Sequence, residues 1–422
     1  MIKGNSHLSF AAGATGIALL IFAYLALTWR SFAGVTNVIE PFTRLFCDFV
    51  DYYYPMGEAV FRTGLPIDGY LYSPFIAILL AVFPPLGLTA SLVLWGILQA
   101  LFVVLYLLLF RRLVPAGLPI QLLFATLALS SFPLVINLLG GQVSVFIIVP
   151  ILGLLVLNER GLRAAGAALL AFAVSFKFYP ILFIAPFAAR RDARFLLFAA
   201  AACGALLFMV PGVLLGVGDT LGFYGALLDS FRDSAWVTAN PHSQFFPHLV
   251  LRLTGSTEQH AHALLPLLHL ISYGIAAANM GLIFLVQRAR LRYADLWSFQ
   301  IVFLTIPFVL KTAWPHDFVF LSFTQALLVW RLLEGKKAAP ETDTAESRSP
   351  AKAGPSMRTT GTFALVLPSI VFSNIVFFNL FDDFTRYGFY GFIFWANLLL
   401  LIALYVQFLP PALRRVQSPS AV

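Results

Sequence analysis

Charged residues are scarce in this chain of 422 residues: Asp, Glu, Lys and Arg make up 11% of it, whereas 60% is hydrophobic. Soluble domains carry about 25% charged residues, so this composition excludes a protein with a polar surface on all sides. Cysteine is scarcer still, since Cys47 and Cys203 are the only two, which argues against a disulfide framework. Motifs for nucleotides, a serine nucleophile or zinc are also missing, namely G-x-x-x-x-G-K-[ST], G-x-G-x-x-G, G-x-S-x-G and H-E-x-x-H.

Long apolar runs recur along nearly the whole chain instead. A helix needs about 20 apolar residues to cross a bilayer, and this rule predicts spans near residues 8–28, 88–110, 119–138, 142–157, 196–217, 264–286, 295–310, 318–333, 362–379 and 389–409. The stretch 164–189 holds two shorter apolar arms around Lys177 and Pro180. Because proline cannot continue a hydrogen-bonded helix, we expect a pair of short or broken helices that meet at Lys177. The sequence therefore predicts an all-α, polytopic transmembrane helical bundle with about 12 transmembrane helices.

The basic residues are distributed unevenly between the loops. With the N-terminus placed inside, 19 of the 27 Lys and Arg residues fall on the inward side, and twelve of the 19 acidic residues fall on the outward side. Since cytoplasmic loops are enriched in Lys and Arg, we expect a multi-pass protein of the cell (inner) membrane with both termini in the cytoplasm. The net charge of +8 is then a topology signal, and no nucleic-acid partner is expected.

One segment differs in composition from its surroundings. Residues 334–358 are rich in Lys, Glu, Ala, Pro, Ser and Thr, which is typical of a flexible linker. We therefore predict a transmembrane core at 1–333, a cytoplasmic linker at 334–358, and a C-terminal transmembrane helix pair with a short tail at 359–422.

The first outer loop, about residues 30–87, carries carboxylates beside aromatic side chains. Asp48 and Asp51 stand three residues apart, so on an α-helix they share a face. They fit a helix N-cap or a solvated loop face, but a carboxylate desolvated near the water–lipid boundary is also suited to act as a general base toward a hydroxyl. Residues 74–83 are apolar but too short to span, which predicts an interfacial helix.

Further polar residues collect on the same side. Lys177 is the one basic residue inside an apolar hairpin, and an ammonium there would bind a phosphate oxygen, unless the side chain extends to the surface. Asn240 and His242 offer hydrogen bonds to sugar hydroxyls. Trp314 is typical of a membrane-boundary anchor, whereas His316 and Asp317 beside it are better suited to chemistry than to packing. The histidines of these loops lack a third ligand at the spacing of a metal site, so neither a metal nor a cofactor is expected. Since the sequence also shows no nucleotide-binding fold, a lipid-linked donor is expected.

Several short motifs follow one another in the outer segments. In chain order they are Asp48-Phe49-Val50-Asp51-Tyr52-Tyr53, Gly64, Tyr70-Leu71-Tyr72-Ser73-Pro74, Gly141-Gln142, Ala165-Gly166, Lys177-Phe178-Tyr179-Pro180, Asn240 to Gln244, and Trp314-Pro315-His316-Asp317. This ordered set resembles glycosyltransferase family 87 of the GT-C superfamily, which includes polyprenyl-phosphate-mannose-dependent α-(1→2)-mannosyltransferases. The resemblance covers roughly residues 8–333. Asp317 stands where the family usually has tyrosine, and Asp51 where it usually has an apolar residue.

The resemblance implies a GT-C fold and a membrane glycosyltransferase that moves a sugar from a polyprenyl-phosphate donor to a lipid or glycan hydroxyl at the outer face. The expected base is Asp48, with Asp51 as the alternative, and Lys177 and His316 are expected to bind the donor phosphate. The expected sugar and acceptor residues are Tyr52, Tyr72, Gln142, Asn240, His242 and Trp314. Mannose and arabinofuranose both stay open as the sugar. A secondary transporter or flippase for a lipid-linked sugar is the alternative, although such proteins usually show repeated halves and this sequence does not.

Overall fold

The computed structural model describes residues 45–232, 238, 240–255, 258–334, 357–381 and 383–417. The predicted span at 8–28 and nearly all of the predicted linker at 334–358 lie outside these residues. Within the described ranges the chain is helical and forms no strand, apart from an isolated bridge between Ser131 and Asn374. The predicted all-α class is confirmed.

The first half of the described chain is a series of helices of very different lengths. They are a π-helix at Phe49–Tyr53, α1 (Tyr54–Thr63), α2 (Pro74–Leu80), a 3-10 turn at Pro84–Leu86, α3 (Leu88–Leu113), α4 (Leu118–Leu129), α5 (Phe132–Gly140), α6 (Ser144–Glu159), α7 (Arg163–Phe176), a 3-10 helix at Tyr179–Ile184, α8 (Ala185–Ala189), α9 (Ala193–Gly204), a π-helix at Ala205–Met209 and α10 (Val210–Leu214). The break predicted at Lys177 is confirmed, because α7 ends at Phe176 and Pro180 lies in the first turn of the following 3-10 helix.

The second half continues in the same way. Its helices are α11 (Val217–Arg232), α12 (Phe246–Leu253), α13 (Glu258–Arg288), α14 (Ala294–Val309), a 3-10 helix at Pro315–Phe318, α15 (Leu321–Glu334), α16 (Met357–Phe372), α17 (Ile375–Asn379), α18 (Phe384–Tyr390) and α19 (Phe392–Gln417). The core is a continuous cluster of buried aliphatic and aromatic side chains to which most of these helices contribute.

Among the described residues, four helices are long and apolar enough to cross a membrane, at Leu88–Leu113, Ala193–Leu214, Ala263–Arg288 and Phe384–Leu413. A fifth candidate is α5 and α6 taken together, although they meet at a bend of 120°. A membrane-integral helical protein is thus confirmed, whereas a count of 12 spans is not. Several predicted spans are shorter helices: α14, for example, has 16 residues and is buried along nearly its whole length.

The span predicted near 119–138 is in fact divided. α4 ends at Leu129, and α5 begins at Phe132 with Pro133 in its first turn, a position that proline favours because its missing N–H would be unpaired there anyway. α5 then ends at Gly140, and Gly141 after it has a φ of +69° that suits glycine. The chain turns at this point, so Gln142 lies in a bend between two helices.

The described part of the first loop forms a compact group of short helices. α1 packs closely on α2 at Gly57, where a Cβ atom would lie 2.4 Å from the carbonyl oxygen of Leu80. Ser73 caps α2 by accepting a hydrogen bond from the Ile76 N–H at 3.4 Å. A helix is therefore present where one was predicted at 74–83, and its position on the membrane surface stays a prediction.

The C-terminal helices are joined to the rest of the bundle through buried polar contacts. Asn397 Nδ2 donates to the carbonyl oxygen of Leu304 at 2.9 Å, and Tyr405 Oη donates to Asn279 Oδ1 at 2.9 Å. Tyr387 is also buried among the aromatic rings of this region. The division of the chain at 334–358 stays a prediction, but the described parts on either side of it share a core.

Candidate active site

A cavity of about 480 Å³ lies between the first-loop helices, the bend before α6, the end of α7 and the loops that precede α12 and α15. Its lining includes nine of the ten residues singled out from the sequence, namely Asp48, Tyr52, Tyr72, Gln142, Lys177, Asn240, His242, Trp314 and His316. The tenth, Asp51, is exposed and lies outside this lining. Residues that are remote in sequence therefore meet around one space.

Asp48 and Asp51 differ because the helix they share is not an α-helix. Asp48 stands at the N-cap of the π-helix Phe49–Tyr53, and Asp51 lies within it. The hydrogen bonds of a π-helix run from i to i+5, so the backbone turns less per residue than in an α-helix. Three residues therefore fall well short of a full turn, and the shared face expected for an α-helix is not formed.

Gln142 connects the Asp48 carboxylate to the bundle. Its Nε2 donates to Asp48 Oδ2, and its Oε1 accepts a hydrogen bond from Tyr53 Oη at 3.0 Å. The backbone around it is fixed as well, because Gln99 Nε2 donates to the Gln142 carbonyl at 2.6 Å and Trp95 Nε1 to the Gly141 carbonyl at 2.9 Å. The side-chain amide is therefore oriented with its N–H toward the carboxylate.

The surroundings of Asp48 make it more basic than an ordinary aspartate. Burial raises the pKa of its carboxyl to about 6; the hydrogen bond from Gln142 and the charge of Lys177 lower this pKa, and the charge of Asp51 raises it. A carboxyl with such a pKa is mostly ionised at pH 7, yet it accepts a proton more readily than a group at its usual value. This combination suits a general base.

Lys177 also lines the cavity and is paired with Asp317. Lys177 Nζ lies 2.5 Å from Asp317 Oδ1, and the two side chains are 11% and 0% exposed. Asp317 also accepts hydrogen bonds from the Trp314 backbone N–H at 3.1 Å and from Ser144 Oγ at 3.4 Å. The ammonium is thus held at the edge of the cavity by a carboxylate that lies behind it.

The backbone at the end of α7 is also held in place. Lys177 is extended, with φ −139° and ψ 145°, which directs the chain away from the helix axis. Two residues earlier, the carbonyl oxygen of Ser175 accepts hydrogen bonds from the Ser73 N–H at 3.4 Å and from Ser73 Oγ at 2.7 Å. The Tyr70–Pro74 motif therefore connects the first loop to the helix that presents Lys177.

His316 is buried at 7% exposure, and its Nε2 has no hydrogen-bond partner among the described residues. Burial lowers the pKa of the ring to about 3, with the charge of Asp317 raising it and that of Lys177 lowering it. The imidazole is therefore neutral at pH 7, with one N–H and one lone pair. Such a group can donate one hydrogen bond and accept another.

Aromatic and polar side chains form the remaining walls. The His242 ring stacks on Phe384 at 3.9 Å between centroids. Tyr53 Oη and Tyr72 Oη share a hydrogen bond of 2.7 Å. Tyr52 packs over Gly69, where a Cβ atom would lie 2.5 Å from the Tyr52 ring. These rings offer apolar faces and hydroxyl groups of the kind that contact a sugar.

Three residues that shape this site, Tyr53, Asp317 and Phe384, are not among the ten residues singled out from the sequence. Asp317 had a usable signal, because a lysine in an apolar segment needs a carboxylate partner and Asp317 follows another apolar run. Tyr53 is a neighbour of Tyr52 whose burial depends on the π-helix. Phe384 lies beyond the predicted linker, so nothing in the sequence placed it near residues 240–242.

Within the described residues, no group of three or more His, Cys, Asp or Glu side chains is placed to hold a metal ion. The cavity of this membrane-integral helical protein brings together a carboxylate, an amide, a lysine and a neutral imidazole. Such a set of groups around one cavity is typical of an enzyme. The family model of glycosyltransferase family 87 matches residues 70–313. This is more than half of the chain, which therefore belongs to glycosyltransferase family 87. No curated protein and no solved structure gives a significant match.

The matched range includes the part of the site that contains Tyr72, Gln142, Lys177 and His242. Asp48 lies before the range, and the 314–317 turn lies directly after it. Family membership supports a membrane glycosyltransferase, while the roles of the individual residues depend on the geometry around the cavity.

Proposed function

We propose that the protein transfers a sugar from a polyprenyl-phosphate donor to a hydroxyl of a lipid or glycan acceptor at the outer face of the cell membrane, with mannose as the first sugar to test. The single observation that carries the proposal is the placement of Asp48 and Lys177 on one cavity, with Asp48 carrying a raised pKa. A base for the acceptor and a cation for the leaving phosphate are the two groups that this reaction needs.

Asp48 is the proposed general base. Because Gln142 holds Oδ2, Oδ1 is directed to the acceptor hydroxyl. The hydroxyl proton passes to Asp48 as the hydroxyl oxygen forms a bond to the anomeric carbon, and the bond between that carbon and the phosphate oxygen breaks. Its electron pair leaves with the polyprenyl phosphate, and the configuration at the anomeric carbon inverts.

Lys177 is the proposed contact for the phosphate. An ammonium has three N–H donors, of which Asp317 uses one, so two are directed to oxygens of the donor. Asp317 sets the direction of Nζ and balances its positive charge by an ion pair before the donor binds. The negative charge that develops on the leaving phosphate is then met by a cation that is already in position.

The neutral side chains are assigned to the sugar and the acceptor. His316 is proposed to orient the donor, because its imidazole N–H can donate to a phosphate oxygen or to a sugar hydroxyl. Asn240 and His242 supply further hydrogen bonds from the loop before α12. The rings of Tyr52, Tyr72 and Trp314, which line the cavity, are proposed to contact the apolar faces of the sugar.

The test is a transfer assay with purified protein in liposomes. Radiolabelled mannose is offered on a synthetic polyprenyl phosphate, on a nucleotide, or not at all, and a parallel series uses arabinofuranose on a polyprenyl phosphate. We expect label in a new glycolipid or glycan with one polyprenyl-phosphate donor and none with the nucleotide donor. Transfer from the nucleotide sugar alone would contradict the donor class. Movement of the intact donor across the bilayer without transfer would support the transporter alternative.

A further inference from the structure

Helix α18 contributes to the candidate active site from a part of the chain that the family match does not reach. The match ends at residue 313, whereas Phe384, the first residue of α18, lines the cavity. The Phe384 side chain is only 6% exposed, and its ring also contacts that of Phe132 at 5.9 Å between centroids. The transfer chemistry proposed above gives no role to this helix.

α18 contacts the imidazole of His242 at two positions. The Phe384 ring stacks on it, with 3.9 Å between centroids and 17° between planes. One turn further along α18, a Cβ atom at Gly388 would lie 2.6 Å from His242 Nδ1. This nitrogen is buried and has no hydrogen-bond partner among the described residues. Nε2 is therefore the ring nitrogen that remains for a ligand in the cavity.

Hydrogen bonds fix the backbone of the loop that carries His242. Gln244 Nε2 donates to the carbonyl oxygen of His242 at 3.0 Å. Arg252 Nη2 donates to the carbonyl oxygen of Ser243 at 2.7 Å and to that of Gly388 at 3.4 Å. The guanidinium thus joins the loop to α18, so that the stacked rings are held by the backbone on both sides.

The two histidines of the cavity are subject to different charges. Burial, together with the charge of Arg252, lowers the pKa of His242 to about 4, so this ring is neutral at pH 7 and can both donate and accept a hydrogen bond. Burial lowers the pKa of His316 as well, but the charges that act on it are those of Asp317 and Lys177. His316 therefore lies near the proposed phosphate position, and His242 lies in another part of the cavity.

The wall around His242 combines polar groups with an aromatic ring. Asn240 and Thr312 line the cavity together with His242, and the loop is joined to the 310–313 turn by the Gln244 N–H, which donates to the carbonyl oxygen of Ala313 at 2.7 Å. A polyprenyl chain at this wall would bury polar groups without partners, which is costly. A sugar ring offers hydroxyls to these groups, and the acceptor is the substrate that would bring a second sugar.

We propose that Phe384 is a positioning residue for acceptor recognition: its ring holds the His242 imidazole so that Nε2 contacts a hydroxyl of a sugar in the acceptor. The acceptor is then a glycan or a lipid that already carries a sugar, rather than a lipid without one. This inference rests on the proposed transfer function, and it leaves the donor and the base of that reaction unchanged.

The first test measures binding without turnover. Saturation-transfer NMR is applied to the full-length protein in lipid nanodiscs with the methyl glycosides of mannose, glucose, galactose and arabinofuranose. Phe384→Leu removes the stacked ring, and Phe384→Tyr keeps it. The matched control is Phe378→Leu, because Phe378 is a buried ring of the same region that stacks on Phe132 at 4.4 Å and does not line the cavity. Thermal melting confirms that the variants are folded.

We expect the wild type to bind at least one of these glycosides. Because an aromatic stack contributes about fivefold in affinity, Phe384→Leu should bind that glycoside about fivefold more weakly, and Phe384→Tyr and Phe378→Leu should change by less than about twofold. In a His242→Ala background, Phe384→Leu should add less than about twofold, because the two rings act as one unit. Equal losses in Phe384→Leu and Phe378→Leu, an undiminished effect without His242, or no glycoside bound would each overturn the proposal.

The second test separates this inference from the transfer function itself. In the transfer assay with the bound glycoside as acceptor, Phe384→Leu should raise the KM for the acceptor about fivefold, with kcat and the KM for the donor close to wild type. An unchanged acceptor KM would overturn the role of Phe384 and leave the transfer function standing. Glycoside binding that depends on Phe384, without transfer from any polyprenyl-phosphate donor, would retain the sugar contact and contradict the transfer function.

Discussion

Asp48 and Asp317 carry the same side chain at two walls of one site, but their surroundings differ. Asp48 lines the cavity from the start of a π-helix, and its nearest hydrogen-bond donor is the neutral amide of Gln142. Asp317 is fully buried outside the cavity lining, and its partner is the ammonium of Lys177. One carboxylate faces the space where a substrate would lie, and the other faces a cation.

The comparison teaches that the partner decides what a buried carboxylate can do. A neutral amide orients Asp48 and leaves its negative charge unmatched, so that burial raises its pKa to about 6. A cation matches the charge of Asp317, and that carboxylate then serves to hold the cation. We therefore assign proton transfer to the Asp48 wall and charge stabilisation to the Lys177–Asp317 wall.

The largest effect is expected for Asp48→Asn. This change keeps an oxygen that accepts the Gln142 hydrogen bond but removes the basic group, and general-base catalysis contributes about 10²–10⁴ in rate. We expect kcat to fall by that factor, while the apparent KM for the donor and the melting temperature stay close to wild type. Initial rates of transfer from the polyprenyl-phosphate sugar give both constants. Turnover near the wild-type rate would show that Asp48 is not the base.

The second largest effect is expected at Lys177. Lys177→Met leaves Asp317 as a buried charge without its cation, which costs about 3–5 kcal/mol when a pair is fully enclosed. Here the cavity admits water to Lys177, so we expect about 1–3 kcal/mol of destabilisation. The double variant Lys177→Met/Asp317→Asn removes both charges and should recover most of the lost stability, as measured by thermal unfolding in detergent.

The same pair of variants separates structure from function. If Lys177 contacts the donor phosphate, both variants should show a raised apparent KM for the donor, although only the single variant is destabilised. Recovery of the donor KM together with stability in the double variant would contradict the phosphate contact. It would mean that Lys177 acts only as the partner of Asp317.

A smaller effect is expected for Gln142→Leu. The Gln142 amide lowers the pKa of Asp48, so its loss raises that pKa, and a base with a raised pKa becomes ionised only at higher pH. The acid limb of kcat/KM should therefore move to higher pH, with activity about fivefold lower at pH 6 and less affected at pH 8. A pH–rate profile measures this shift. Gln121→Leu, in α4 and away from the cavity, is the matched control, and identical shifts in both variants would rule out a specific effect on Asp48.

The composition of the site could be predicted because polar residues are rare in this chain. A lysine, a histidine or a carboxylate in an apolar protein must reach water or a polar partner, so the few that remain tend to meet in one place. This reasoning identified Asp48, Lys177 and His316, and the resemblance added Tyr72 and Gln142 to the residues that line the cavity. It also predicted the helix break at Lys177, because the effect of Pro180 on a helix is local.

Other features depend on contacts between distant segments and could not be predicted. The pairing of Lys177 with Asp317 joins residues 140 positions apart in the chain, and Ser144 at the start of α6 contacts the same carboxylate. The count of 12 spans is not confirmed: a helix such as α14, which is buried by its neighbours, need not be as long as one that faces lipid, so apolar runs in the sequence do not give the length of each helix. The exposure of Asp51 depends on a π-helix, for which the sequence gives no local signal.

The smallest effect is expected for Asp51→Asn, and its direction distinguishes the two carboxylates of the first loop. The charge of Asp51 raises the pKa of Asp48, so its removal should lower that pKa and move the acid limb of kcat/KM to lower pH. Asp48, with a pKa of about 6, is already about nine-tenths ionised at pH 7. The rate at pH 7 should therefore change by less than about twofold, with the clearest gain between about pH 5 and 6. If Asp51 were itself the base, the same change would lower kcat at every pH by the factor expected for Asp48→Asn, because the group that accepts the proton would then be lost.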